Sequence, residues 1–294
     1  MREQVMAHLH AIEAQHEVTI LFACESGSRG WGFASPDSDY DVRFIYVNRL
    51  PWYLTVAPGR DVIELPISGS SAALGRPEQA SAPSGGSEHT PVPSVGATPL
   101  DINGWDLRKA LGLMRESNPT LLEWLRSPIV YREEAETMDR FRALAEQVFS
   151  NAKGWHHYAS MAKKNFREHL QADTVHYKKY LYVLRPLLAA RWIREQPGVP
   201  PMRFAELAQR TLHATADAAL IDEINALLEV KMRAGEAATS PRWPGIHAFI
   251  EAELARNAAE PVQAVPSAGH APLDAMLFDT VLQHDRQAQE AQAC

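Results

Sequence analysis

The chain has 294 residues, 46% of them hydrophobic and 22% charged, the balance of a globular protein with a sizeable core rather than of a disordered or fibrous one. Its 29 basic and 36 acidic side chains give a net charge of −7, which excludes a generally basic nucleic-acid coat while leaving room for a local basic groove. No apolar run approaches the roughly 18 residues of a membrane span, the polar N-terminus lacks the apolar core of a secretory leader, and Cys24 and Cys294 are too few for a disulfide framework. A cytoplasmic protein without a membrane partner is the expectation.

Residues 1–17 place Val5, Leu9 and Ile12 at helical spacing and predict an amphipathic first helix. Val18 to Cys24 is a short apolar, β-branched run suited to a buried strand, with Cys24 as a small core residue. A glycine-rich turn follows, Gly27-Ser28-Arg29-Gly30-Trp31-Gly32, then a polar loop through Ser35 to Ser38 and a second strand from Asp39 to Val47. Asp61 to Ile67 reads as a third strand and Leu100 to Asn103 as a fourth, with a helix from Trp105. Between them, residues 68–99 are so rich in Gly, Pro and Ser that they predict a disordered insertion. From about 116 to 256 the pattern is helical, broken at Asn118-Pro119, Ser127-Pro128, Pro197-Gly198 and Pro241 to Pro244. Residues 257–270 read as a linker and 271–294 as a last helix and tail. Strands first and helices later predict an α+β domain over 1–115 followed by a helical domain over 116–256.

Two features carry chemistry. Along a strand, side chains alternate, so Asp39 and Asp41 project from one face and repel each other unless a cation lies between them. Oxygen-only ligands of this kind suit Mg²⁺ or Mn²⁺, which also bind phosphate oxygens. Upstream, the Gly27-Ser28 turn offers backbone N–H groups with no side chain in the way, an anion cradle. Either feature alone could be a plain turn or a solvated face; together they describe a nucleoside triphosphate site. The turn is not a P-loop, lacking Gly-Lys-Ser/Thr, nor a dinucleotide fingerprint, lacking a βαβ unit.

The run from Gly27-Ser28 through Ser38-Asp39-Tyr40-Asp41-Val42 resembles the signature of the polymerase β nucleotidyltransferase superfamily. More narrowly, Glu25 to Phe33 with Ser38 to Tyr46 is similar to bacterial nucleotidyltransferases of the RlaP type, which are associated with RNA repair. The likeness continues in Asp61 to Leu65, Leu100 to Leu111, Asn118 to Tyr131 and Tyr180 to Trp192, and covers most of the chain outside 68–99 and 257–270. The resemblance implies a polymerase β-like mixed sheet with helices, followed by a helical domain that closes over the nucleotide. It implies a two-metal site of three carboxylates and transfer of NMP from an NTP, ATP among the candidates, to an acceptor hydroxyl on an RNA end, releasing pyrophosphate.

Asp39 and Asp41 match the carboxylate pair. For the third carboxylate, Asp101 is preferred, Glu64 is second and Asp106, expected in the first turn of a helix, is third. Gly27 and Ser28 would cradle the β- and γ-phosphates. Arg29 and Arg43 flank the motif and either meet phosphate or brace the acidic site. Lys178, Tyr182 and Arg185 fall on one helical face; by resemblance such a face supplies a base to the triphosphate and an aromatic ring to the nucleobase, and otherwise it is a solvated basic stripe. Lys163, Lys164 and Arg167 read as a surface face that could meet RNA. No His set has metal spacing, and Trp105, Trp124 and Trp192 read as core anchors. Transfer to a small-molecule or protein hydroxyl, or a nucleotide sensor that has lost turnover, are the alternatives.

Overall fold

A computed structural model describes residues 1–65, 99–196, 198–233, 239–263 and 269–293; the expected insertion at 68–99 lies, except for its last residue, outside them. The first helix, α1 (Arg2–His16), buries Val5, Leu9 and Ile12, the stripe its spacing predicts, and ends where Glu17 turns left-handed. Next come β1 (Thr19–Glu25), the short α2 (Gly27–Trp31), β2 (Tyr40–Val47), α3 (Leu50–Tyr53), β3 (Val62–Leu65) and β4 (Leu100–Asp106). A fifth strand, β5 (Val130–Glu133), follows α4 (Leu107–Arg115) and α5 (Pro119–Leu125).

These strands form one mixed sheet in the order β3-β4-β2-β1-β5. Only β2 and β4 run parallel; every other pair is antiparallel. The sheet is covered on both faces, which is why β1 is a continuous apolar run. On one face Val18, Ile20, Val42, Phe44 and Tyr46 pack under α1. On the other, Leu21, Ile45 and Val47 meet α4, α5, α6 (Ala135–Val148) and α12 (Ala271–Ala293). Opposite Phe44 on the parallel neighbour stands Gly104, where a Cβ would lie 2.1 Å from the ring. A glycine there lets the phenyl ring lie across the strand pair. The β5 edge is capped by Arg2, which donates to the carbonyls of Val130 and Tyr131, each at 2.9 Å.

The remaining helices, α7 (Asn151–His169), α8 (Tyr177–Glu195), α9 (Phe204–Thr211), α10 (Ala218–Arg233) and α11 (Pro244–Ala259), pack around α8, which is buried on nearly every side. A small ribbon of β6 (Thr174–His176) and β7 (Thr239–Pro241) ties their ends. Pro186 lies inside α8 and has no N–H for the carbonyl of Tyr182; Asn165 Nδ2 donates to that carbonyl instead, at 2.9 Å.

Three expectations are corrected. The boundary near 115 does not bound the sheet: β5 pairs with β1, and α5, α6 and α12 cover the same face as α4. The stretch 116–256 is not wholly helical, because it contains β5 and the β6–β7 ribbon. Part of the expected linker at 257–270 is helix, since α11 runs to Ala259, whereas residues 264–268 lie outside the described residues. In the first two cases partners distant in sequence set the outcome.

Candidate active site

Strand β1 ends at Glu25, and the chain turns at once into α2. Ser26 is the N-cap residue, and the first helical bond runs from Gly30 N to Ser26 O at 3.1 Å. The N–H groups of Gly27, Ser28 and Arg29 therefore lie ahead of that ladder, where a helix presents donors. Gly27 adopts φ +55, and a Cβ on it would sit 1.9 Å from Asp41 Oδ2. Only glycine permits both the left-handed turn and this approach to the carboxylate.

The backbone of Asp41 is clamped to the same turn. Its carbonyl accepts from Ser26 N at 2.8 Å, and its N–H donates to Glu25 Oε1 at 2.8 Å. Glu25 is fully buried and also accepts from Tyr131 Oη at 2.5 Å. Burial pushes the Glu25 carboxyl above its ordinary range, and the bonds from Tyr131 and Asp41 pull the other way. The neighbouring Cys24 thiol is pushed far up by burial, which leaves it inert.

Asp41 faces Asp101 directly across the parallel β2–β4 pair. Between the two carboxylates lies Arg43, whose Nη2 is 3.1 Å from Asp41 Oδ1 and 2.6 Å from Asp101 Oδ2. Its Nη1 donates to the carbonyls of Val42 and Asp101. The Asp41 and Asp101 side chains remain 28% and 33% exposed, so a ligand can reach them. Asp39 is exposed one residue before β2. Among the described residues no three His, Cys, Asp or Glu side chains converge as a ready-made metal cage.

The other sequence-derived candidates separate clearly. Glu64 stands opposite Asn103 rather than Asp101, is more than half exposed, and pairs with Arg60 at 2.6 Å and Asn103 Nδ2 at 3.0 Å. Asp106 is the N-cap of α4: its Oδ1 accepts from Arg108 N at 2.8 Å, and its Oδ2 from Tyr53 Oη and Asn48 Nδ2. It is fully buried, so burial raises its pKa despite those bonds. Arg29 donates to the carbonyls of Ser38 and Asp39 at 2.7 and 3.1 Å and lies 3.8 Å over the Tyr40 ring, bracing the loop before β2.

Arg185 is corrected as a nucleotide ligand. It is buried, its Nη1 pairs with Glu123 of α5, and its Nη2 donates to Met202 O at 3.2 Å. Three positions N-terminal on α8, nearly one turn back, Tyr182 is half-buried with its ring edge-on to Trp31 at 5.7 Å, and Lys178 is half-buried near the helix start. The shared face that i, i+4, i+7 spacing suggests thus ends in the core at Arg185. Trp124 and Trp105 stack with centroids 3.8 Å apart, inside or against the core below the sheet.

Three residues of the site region escape a sequence reading. Glu25 carries a faint signal, an acid ending an apolar strand run. Glu123 and Lys231 sit in helices whose local sequence does not mark them, and only the tertiary structure buries them.

A family described as RlaP, RNA repair pathway DNA polymerase beta family, matches residues 1–72 and 90–279. The chain belongs to this family. RlaP membership places it among the polymerase β-type nucleotidyltransferases. A Bacillus subtilis (strain 168) protein carrying the name Uncharacterized protein YcgL is 40% identical over 283 residues, covering 96% of each chain. A solved nucleotidyltransferase-like protein from Exiguobacterium sibiricum 255-15 aligns over 99% of this chain and 79% of its own, at 11% identity and a TM-score of 0.30. Among the described residues no helix is long and apolar enough to cross a membrane.

Proposed function

We propose that this RlaP-family chain is a divalent-metal-dependent nucleotidyltransferase that joins the NMP of an NTP to a hydroxyl at an RNA end and releases pyrophosphate. The observation that carries the reading is the register of Asp41 and Asp101 on adjacent parallel strands, under a glycine turn that touches the Asp41 carboxylate. The donors are carboxylate oxygens with neither thiolate nor imidazole among them, which fits Mg²⁺ or Mn²⁺. An all-protein cage is not required, because Mg²⁺ usually takes one or two carboxylates and fills the rest with water and phosphate oxygens. In this reading Asp41 and Asp101, joined by Asp39, hold the metal. When bound, the cation supplies charge neutralisation for the triphosphate and a lowered pKa for the acceptor hydroxyl.

The chain's own groups do the rest. Gly27 keeps the approach to Asp41 open, and the N–H groups of Gly27, Ser28 and Arg29 face the triphosphate. Arg43 balances the charge of Asp41 and Asp101 and holds them side by side. Lys178 and Tyr182 are the α8 residues offered to the triphosphate and base; Arg185 is not. Arg29 orients the carbonyls of Ser38 and Asp39 rather than a phosphate.

The test is incubation of the full chain with each α-labelled NTP, Mg²⁺ or Mn²⁺, and total RNA, beside Asp41→Asn. Label in an RNA band that the variant fails to produce is the expected result. Asp41→Asn should melt as a folded protein, since the change removes charge and almost no volume. Transfer unaffected by Asp41→Asn would end the metal assignment. Label on the protein or on a small molecule would move the acceptor away from RNA while keeping the chemistry.

A further inference from the structure

Residues 31–38 lead from the glycine turn to the first candidate carboxylate, yet they are embedded in the helical half of the molecule. Phe33 is buried in the core around α8, its ring edge-on to Phe204 with centroids 5.8 Å apart. Trp31 meets Tyr182, and its indole N–H donates to Glu123 at 3.0 Å. Beyond them the chain closes into a turn: Ser35 N donates to Ser38 Oγ at 2.9 Å, and Ser38 N to Ser35 O at 3.1 Å. Both serines are at most 2% exposed.

Into this turn reaches Lys231, from the last turn of α10 and 196 residues after Ser35. It is buried, its ammonium donates to Ser35 Oγ at 3.1 Å and Ser38 Oγ at 3.3 Å, and it lies 5.8 Å from the Phe33 ring centroid. An ammonium can only donate, so both hydroxyls are oriented to accept from it. Taking such a charge out of water is costly even when it is well held, and an apolar side chain of similar volume would serve core stability at least as well. Its placement bears instead on what the turn delivers. The residue after Ser38 is Asp39, and Arg29 holds the carbonyls of both. The approach to β2 is thus gripped from two sides, by Arg29 on its carbonyls and by Lys231 on its hydroxyls.

We propose that Lys231 is a positioning residue for the carboxylate site: from α10 it fixes the Ser35–Ser38 turn and so places Asp39 beside Asp41. The inference rests on the reading of Asp39 and Asp41 as metal-holding carboxylates. It makes the helical half a builder of the site.

The experiment measures Mn²⁺ binding to the full chain without nucleotide, from the electron paramagnetic resonance signal of the free ion, with thermal melting in parallel. Lys231→Met should weaken Mn²⁺ binding about 10–100-fold, the range for removing a group that orients a metal ligand, while melting stays cooperative. Lys231→Arg keeps charge and donors and should recover part of the loss. Ser38→Ala should weaken binding as well, and adding Lys231→Met to it should cost less than the two separate losses combined, because the lysine acts through that hydroxyl. Wild-type Mn²⁺ affinity in folded Lys231→Met overturns the proposal; if that variant does not fold, wild-type affinity in the Ser35→Ala/Ser38→Ala chain does so. Failure of the underlying reading looks different: wild type and Asp41→Asn would then bind Mn²⁺ alike whatever stands at 231, and the proposal falls with it.

Discussion

At the scale of single residues, the site depends on what is missing at Gly27 and on what is buried at Glu25. A side chain at 27 would have to occupy the space of the Asp41 carboxylate and hold a left-handed backbone. Gly27→Ala should therefore cost about 1–3 kcal/mol of stability, the usual penalty for such a conformation, and also displace Asp41. Urea unfolding and a transfer assay together check this; a variant as stable and active as wild type would refute the contact. Glu25 makes a different prediction. Its folded-state pKa is raised above the ordinary 4.5, so between those two values the native chain binds a proton there more fully than the unfolded chain does. The contribution of this residue to stability is then largest at low pH and falls as pH rises from 4.5 through the raised value. Glu25→Gln can still accept from Asp41 N–H but has no proton to lose, so it should gain on wild type as pH rises. Urea titrations across that range measure the difference, and a difference independent of pH would contradict a buried acid at this position.

At the scale of elements, the β2–β4 pairing separates three carboxylates that look alike in sequence. Asp101, Glu64 and Asp106 all lie near the ends or edges of strands, and the sequence ranks them in that order only by their places on the expected strands and helix. The register puts Asp101 beside Asp41, sends Glu64 out to Arg60 on the edge strand, and makes Asp106 the cap of α4. Asp101→Asn should lose transfer by orders of magnitude and little stability, because its side chain is one-third exposed. Glu64→Gln should change neither. Asp106→Ala should lose about 0.5–2 kcal/mol from the cap alone, and more from the orphaned Tyr53 and Asn48, while folded molecules keep their activity. Parallel melts and transfer assays on the three variants decide among them; loss of transfer in Glu64→Gln with Asp101→Asn active would reverse the assignment.

At the scale of the whole molecule, the sheet and the helical half are joined by a buried charge network. Glu123 of α5, packed below the sheet, accepts from Arg185 of α8, from the Trp31 indole and, at 3.4 Å, from Tyr158. Breaking such a pair by removing one partner leaves an uncompensated charge and costs about 3–5 kcal/mol. Arg185→Met should show that loss in chemical denaturation, and Glu123→Gln on top of it should restore part of the stability, because the stranded charge is then gone. A small loss from Arg185→Met alone would mean that Glu123 finds water or another donor. The same network explains why Arg185 does not serve the nucleotide: its guanidinium is already committed between the two halves.

Much of this protein is legible in its amino-acid order, because the relevant physics is local. The spacing of Val5, Leu9 and Ile12 determines α1, the β-branched run before Glu25 determines β1, and Asn118-Pro119 starts α5 where a cap and a first-turn proline should. The Gly27-Ser28 turn and the strand that carries Asp41 can be recognised without any structure, since turn geometry and strand pattern are properties of neighbours, although β2 begins at Tyr40 and leaves Asp39 just before it. What only the tertiary structure decided involves partners far apart in the chain. Val130 to Glu133 is too short to declare itself a strand, and β1 makes it one. Arg185 and Lys231 look like surface cations on helices until Glu123 and the Ser35–Ser38 turn, 62 and 193 or more residues away, take them out of water. Whether a charge ends in solvent or in the core depends on which group meets it there, and that meeting is settled only when the sheet and the helical half pack together.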